Sequence, residues 1–405
     1  MDRGSLGAAE FDPSRKAGFG PSRCWPEADG LVWSSKAGKR TLMGWTAPAP
    51  GTDVPRLELQ SSVGASHGKR QRHRPDLAKS VFPVHGIDAA GNILVRRQLR
   101  RLEVIAFFKK LSPCLVGIEA CATAHHWARE LIKLGHTVKL MPPIYVKPYV
   151  QRGKTNAADA EAIAEAVTRP TMRFVAVKTV DQQAVLMTHK VRELLVRQRT
   201  ALINALRGHL AEFGIVAAQG SAGLKDAIAQ FHAEQASLPA VARSALLRLI
   251  ERIRQITDEV RKTEKEIVAW CRADTASRRL ITIPGVGPIT ASAISASVPD
   301  PALFRSGRQF AAWLGLTPKP HSSGGRERLG RISKQGDGSI RRLLVIGATS
   351  MIHRARQDNP GKAWAKQLLE RQPARVVSVA LANKTARIAW AVLTRGEVFK
   401  AAAAA

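Results

Sequence analysis

A chain of 405 residues with 45% hydrophobic content is long enough for two or three domains with real cores. Its 63 Lys+Arg against 32 Asp+Glu leave a formal charge of +31, which excludes an ordinary near-neutral enzyme surface and points to a polyanionic partner. No apolar run in the sequence approaches the roughly 18 to 20 residues of a spanning helix, no signal core follows Met1, and four scattered cysteines exclude a zinc ribbon or disulfide framework, so the reading is a cytoplasmic nucleic-acid protein with no membrane partner.

Taken in chain order, residues 1–75 are rich in Gly, Pro, Ser and Arg, sustain no hydrophobic period, and read as a disordered or non-native extension. From Ser80 short β-rich runs (VFPVHGID, ILVRRQL, CLVGIEA, TVKLM) alternate with helical patterns such as Ala122 to Leu134, which predicts an α/β domain over 76–178. From about Val180 the pattern is helical. Met187, Val191, Leu195, Leu202, Leu206 and Leu210 form one stripe, and Leu246, Leu249, Ile253, Ile256, Val260 and Ile267 form a stricter one with Thr263 in its polar place. A loop from Gly214 to Pro239 would let the two helices form an antiparallel coiled-coil arm over 179–278, serving either as an internal core or as an oligomer contact. The remaining 279–400 predicts a mainly α domain with Gly/Pro punctuation, a dense basic stretch, and apolar helices from about Ser339 and Ala374.

Several residues could carry chemistry. Glu119 ends an apolar run, where α/β sites are commonly built, and Asp159 lies near the start of a helix with Glu161 and Glu165. Each can equally be an acid favoured by a helix dipole. In IPGVGP, Gly285 and Gly287 make a tight helix-hairpin-helix-like turn that can meet a phosphate or simply break a helix. Ser322 and Ser323 stand beside two glycines, either a plain flexible loop or an accessible hydroxyl, followed closely by Arg326, Arg328, Arg331, Lys334, Arg341 and Arg342, cations able to hold a DNA backbone.

In order and spacing, PDLAKSVFPVHGID followed by VGIEACATAHHWARELIKLGHTVKLMPPIYVKPYVQRGKTNAADAEAIAEAV resembles the N-terminal DEDD domain of insertion-sequence transposases of the one-ten family, in its eleven-eleven subgroup. The resemblance implies an RNase H or RuvC-like fold whose four acids bind Mg²⁺, and it lands them on Asp76, Glu119, Asn156 and Asp159. Asn156 departs from the family's aspartate, and an amide oxygen brings no charge to a metal. Glu161 could stand in only if the helix shifted. Before Asp76 the family has an apolar strand, whereas HGKRQRHRP is too charged and too proline-marked for a sheet interior. The expectation is that this strand is missing; the alternative is that a distant N-terminal segment replaces it.

The stretch from Leu280 to Ala348 is similar to the same family's C-terminal transposase domain, whose serine nucleophile falls on Ser323, with Ser322 adjacent. The resemblance implies DNA strand exchange on element-end and target DNA by a homo-oligomer, guided by a structured RNA. A RuvC-like junction nuclease and an inactive nucleic-acid-binding remnant are the alternatives.

Overall fold

The computed structural model describes residues 42–46, 81–88, 92–150, 156–355 and 363–400. The N-terminal unit is a five-stranded sheet of order β3-β2-β1-β4-β5, built from β1 (Leu42–Thr46), β2 (Val81–Ile87), β3 (Ile93–Arg100), β4 (Leu115–Glu119) and β5 (Thr137–Met141). Helices α1 (Glu103–Lys109) and α2 (Ala124–Lys133) cover one face, burying Phe82, Val84, Phe108, Val116, Ile118, Trp127 and Leu131 in one core. On the other face lie α3 (Pro143–Val146) and α4 (Asn156–Val167), with Met141, Val146, Ala162, Ile163, Ala166 and Val167 as a second core. β3 is an edge strand whose Arg96, Arg97 and Arg100 are exposed, charges that discourage pairing with another chain.

The central position corrects two expectations. The segment 42–46 lies within the extension expected to be disordered, yet it forms the middle strand; the rest of 1–75, and Asp76, lie outside the described residues. The expected gap is therefore filled from a distance. β1 runs parallel to β2 and antiparallel to β4. A strand joined to β2 by a short turn could only pair with it antiparallel, so β1 enters the sheet in the opposite sense to a strand placed just before Asp76. Five residues, Leu-Met-Gly-Trp-Thr, are too few for a period to register, which is why the run escaped notice.

The middle of the chain is an antiparallel helix pair. α5 (Val180–Ala211) starts in a capping box, where Thr179 and Gln182 each accept from the other's backbone N–H. α7 (Ala240–Ala273) returns along it, with Leu206 and Leu210 packed near Leu246 and Ile253, and Arg192 Nε donating to Glu264 Oε1 at 2.8 Å. Along the α7 stripe Leu246, Ile253, Ile256, Val260 and Ile267 are buried and Leu249 half-buried, and the hydroxyl of Thr263 donates to Glu259 O within its own helix, so its burial leaves no orphan. The α5 stripe is corrected: Met187 and Val191 are exposed, and burial at that end passes through Val185, because α5 there turns its side toward the C-terminal unit. The expected loop 214–239 is corrected too, since it contains α6 (Gly220–Glu234), whose Ala227 and Phe231 close the end of the pair.

The C-terminal unit comprises α8 (Thr275–Ile281), α9 (Pro288–Ser297), α10 (Gly307–Trp313), the two-stranded ribbon β6 (Pro318–Pro320) and β7 (Leu329–Ile332), α11 (Gly338–Ala355), α12 (Ala363–Arg371) and α13 (Ala374–Arg395). Its core takes in Cys271 from α7, so the arm's base is continuous with it. By length and composition α13 could cross a membrane, which the sequence reading missed, yet Val377, Leu381, Ala382, Ala386, Ala389 and Val392 are buried against its neighbours as in a core helix.

A chain beginning at residue 51 lacks β1 and leaves β2 and β4 with unpaired backbone. Its α/β unit is expected to unfold at lower denaturant than the C-terminal helices, read by circular dichroism against the fluorescence of Trp127; coincident, unshifted transitions would show that β1 contributes nothing.

Candidate active site

Along β4 the side chains alternate. Val116 and Ile118 enter the core beneath α1 and α2, so Leu115, Gly117 and Glu119 face α4. A Cβ at Gly117 would lie 2.9 Å from Val167 Cβ, so α4 sits directly on the sheet there and glycine is required by the space. Glu119, the last residue of β4, thus belongs to the α4 layer. Asp159 belongs to it as well, at 6% exposure beside buried Ala160, Ala162 and Ile163. Asn156 opens α4 one turn earlier, and Glu161 is exposed.

His85 of β2 is buried in the same layer, next to a cavity of about 170 Å³ that Arg96, Gln98 and Ala160 also line. Burial pushes its imidazole below the usual range, Glu161 acts the other way, and Arg96 reinforces the fall. Glu119 and Asp159 are hard oxygen donors suited to a divalent ion, but among the described residues no three His, Cys, Asp or Glu side chains group to hold one. The strand between β2 and β4 brings no carboxylate, and Asp76 lies outside the described residues. Glu119 and Asp159 are thus two hard donors on the α4 side of the sheet.

The serine sits at the tip of the β6–β7 ribbon. Gly324 and Gly325 have φ of 57° and 76°, and Arg326 N donates to Ser323 O at 3.1 Å, which makes Ser323–Arg326 a two-residue hairpin turn with both central residues left-handed. Ser323 is exposed, while the Ser322 hydroxyl accepts from Arg328 N at 3.2 Å. The ribbon stands on a tight base. A Cβ at Gly336 would lie 1.8 Å from Trp313 O, one at Gly315 would lie 2.3 Å from Gln335 O, and Lys334 has φ 55°, a strained value for a side-chain-bearing residue.

The candidate cations divide into two groups. Arg326, Arg328 and Arg331 are exposed along the ribbon. Arg341 also acts as a brace: its Nη1 donates to Leu314 O at 2.8 Å and to Gln335 O at 2.7 Å, tying α10 to the ribbon base. Arg342 donates to Glu193 Oε1 at 2.8 Å and so joins α11 to α5. Gly285, with φ 82°, is likewise a packing residue, since a Cβ on it would strike Met351 Sδ at 2.5 Å and one on Gly347 would lie 1.9 Å from Gly285 O. Gly287 alone of the two faces open space.

A polar junction unmarked in the sequence reading joins the units. Lys178 packs on His125, N to Nδ1 at 3.2 Å, and Arg129 donates to Lys178 O at 2.8 Å. His189 of α5 meets Ser292 of α9 at 2.9 Å. Asp337, ahead of α11, acts electrostatically on both Lys178 and His189. Burial holds each imidazole at about 4, with Lys178 adding to the fall at His125 and Arg192 at His189. The helix AHHWARELI carries His125 half-buried and His126 exposed.

Residues 277–362 match the family described as "Transposase IS116/IS110/IS902 family", and residues 75–215 match an IS110-type DEDD domain described as "Transposase". Over 328 residues the chain is 49% identical to a Pseudomonas aeruginosa protein named "Probable family 20 transposase", covering 80% of this chain and 97% of that one. It is 40% identical over 325 residues to the transposase for insertion sequence element IS1328 of Yersinia enterocolitica (80% and 97% covered). With the transposase for insertion sequence element IS1111A of Coxiella burnetii the identity is 39% over 340 residues (81% and 91% covered).

Two outcomes follow from this packing. Gly347→Val is expected to lower stability by about 1–3 kcal/mol in chemical denaturation, by forcing α11 off the Gly285 turn. Because His125 and His189 stay neutral when folded, the unfolded chain binds their protons first, so stability should fall as pH drops from about 6.5 to about 4 and change little on their account below that. Midpoints measured from pH 7 to 4 test this, and His189→Gln should flatten the slope.

Proposed function

The chain belongs to the IS116/IS110/IS902 family of transposases and is a DNA transposase, and we propose that Ser323 is the nucleophile with which it cuts and rejoins DNA. The observation carrying this reading is the exposed hydroxyl at the tip of a glycine turn, flanked on its own ribbon by Arg326, Arg328 and Arg331. In the proposed step Ser323 Oγ bonds to phosphorus and the bridging P–O bond to the sugar breaks. The serine proton passes to solvent, and the departing sugar oxygen takes one up. The arginines stabilise the charge that builds on the phosphorane, and the phosphoserine keeps the bond energy until a sugar hydroxyl reverses the step.

The DEDD domain indicates an RNase H-like fold and a divalent metal cofactor. We take the metal to be Mg²⁺, and the residues that would hold it to be Glu119 and Asp159, with Asp76 and Asn156 by resemblance. When bound it would polarise the scissile phosphate. The same reading makes the α5/α7 pair a coiled-coil arm between copies of a homo-oligomer and the Gly285–Gly287 turn a helix-hairpin-helix-like element. It takes element-end and target DNA as substrates and a structured RNA as guide.

A second reading, a DNA-binding remnant that no longer cuts, is favoured by one observation: the central strand carries no acid, and the α4 position one turn before Asp159 is an amide. An assay with element-end DNA, guide RNA and Mg²⁺ separates the two. The first expects a covalent protein–DNA adduct that Ser323→Ala abolishes and Ser322→Ala retains; the second expects salt-sensitive binding with no adduct. Asn156→Asp is expected to tighten Mg²⁺ binding by about tenfold or more in calorimetric titration, because a charge replaces a dipole. An unchanged titration would mean that position 156 is not a ligand.

A further inference from the structure

Every residue of the β6–β7 ribbon from Pro318 to Arg331 is exposed, so both of its faces meet solvent. The two faces are not alike. Antiparallel pairing sets Pro320 opposite Leu329, and the ladder continues to the tip through His321 N donating to Arg328 O at 2.7 Å and the bridge between Ser323 and Arg326. Paired residues share a face and neighbours along a strand take opposite ones. Ser323, Arg326, His321 and Arg328 therefore lie on one face, and Ser322, Glu327, Pro320 and Leu329 on the other.

Nearer the base Pro318 pairs with Ile332, which leaves two residues, Gly330 and Arg331, opposite Lys319 alone. This bulge interrupts the alternation, turning Arg331 to the side of Lys319 and Ser323 while Ile332 takes the side of Pro318. A Cβ at Gly330 would lie 2.9 Å from His321 Nε2, so the imidazole rests on the face to which the register assigns it. The serine face thus gathers Lys319, His321, Arg326, Arg328 and Arg331, and the ribbon's one acid, Glu327, lies on the opposite face.

We infer that DNA meets the ribbon on the serine face alone, a phosphate-backbone docking surface in which the opposite face has no part. The inference rests on the reading of Ser323 as nucleophile and deepens it by fixing the side from which the DNA comes. Like charges set side by side across two strands repel, and no acid on that face offsets them, so the cluster strains the free ribbon and a polyanion relieves it. Glycine at 330 lets the His321 ring lie against the ribbon, and Gly324 and Gly325 have open space around them, so a sugar-phosphate chain has room to reach Ser323. On the opposite face Pro318, Pro320, Leu329 and Ile332 have no side-chain hydrogen-bond donor to offer a phosphate.

The test is fluorescence anisotropy with the full-length chain, a duplex DNA, an RNA of equal length, and a salt series. Arg328→Ala and Arg331→Ala are each expected to lower the slope of log affinity against log salt by about 1, and together by about 2, with duplex binding weakened about tenfold or more at about 0.15 M salt. The decisive variant moves a charge without removing it. Arg328→Leu with Leu329→Arg carries the guanidinium to the opposite face, keeps the net charge, and should lose as much slope as Arg328→Ala. Arg328→Lys keeps both charge and face and should keep the slope, and Glu327→Gln, which removes the acid of the opposite face, should leave it unchanged. The proposal is overturned if the chain with the transplanted arginine binds duplex as well as the parent, if Arg331→Ala has no effect, if Glu327→Gln tightens binding as much as Arg328→Ala weakens it, or if only RNA binding responds. Adduct formation is scored separately: an adduct that survives Ser323→Ala removes that serine as nucleophile, while the salt slopes still decide the face.

Discussion

The backbone N–H and C=O groups on facing edges of β2 and β4 must find partners, and the N-terminal unit depends on how that requirement is met. β2 is already paired with β3 and β4 with β5, so each has one edge open toward the other. Leu42–Thr46 satisfies both, bridging to His85 through Gly44 on one side and to Val116 through Trp45 on the other. Once that place is filled, the sheet presents a continuous surface on which α4 can lie, and it is α4 that brings Asp159 into the layer of Glu119. A hydrogen-bonding need of the main chain thus governs what the sheet beneath α4 carries, because the occupant of the middle place decides whether that strand brings an acid.

Much of this architecture was legible in the residues. Short β-rich runs marked β2 to β5, helical patterns marked α2 and α4, the heptad spacing marked α7, and the polar place at Thr263 was read in its true position. Glu119 and Asp159 stood out as local candidates, though only the family resemblance joined them. What escaped was set by contacts distant in sequence. Gly285 is also a packing position, with Gly347 seated against it, and Arg341 also donates to the carbonyls of Leu314 and Gln335. The reversed entry of β1 has no local signature, since strand direction is a property of the partner and not of the run.

The surplus of basic residues is not one undivided field. Some are consumed as fasteners: Arg192 to Glu264, Arg342 to Glu193, Arg129 to the Lys178 carbonyl. Others, on the ribbon and along the outer side of α13, face solvent. The count of 63 Lys and Arg therefore overstates the cations free to meet a polyanion, and position rather than number separates the two uses.

Lys334 holds a left-handed backbone between glycines whose own neighbours leave no room for a side chain, and this has a mechanical consequence. A pedestal so tightly seated cannot swivel without first breaking its seat. On the proposed reading, the hydroxyl at its summit is a stationary tool: the polynucleotide has to be bent and carried to it, so the slow event would be delivering the workpiece and not moving the blade.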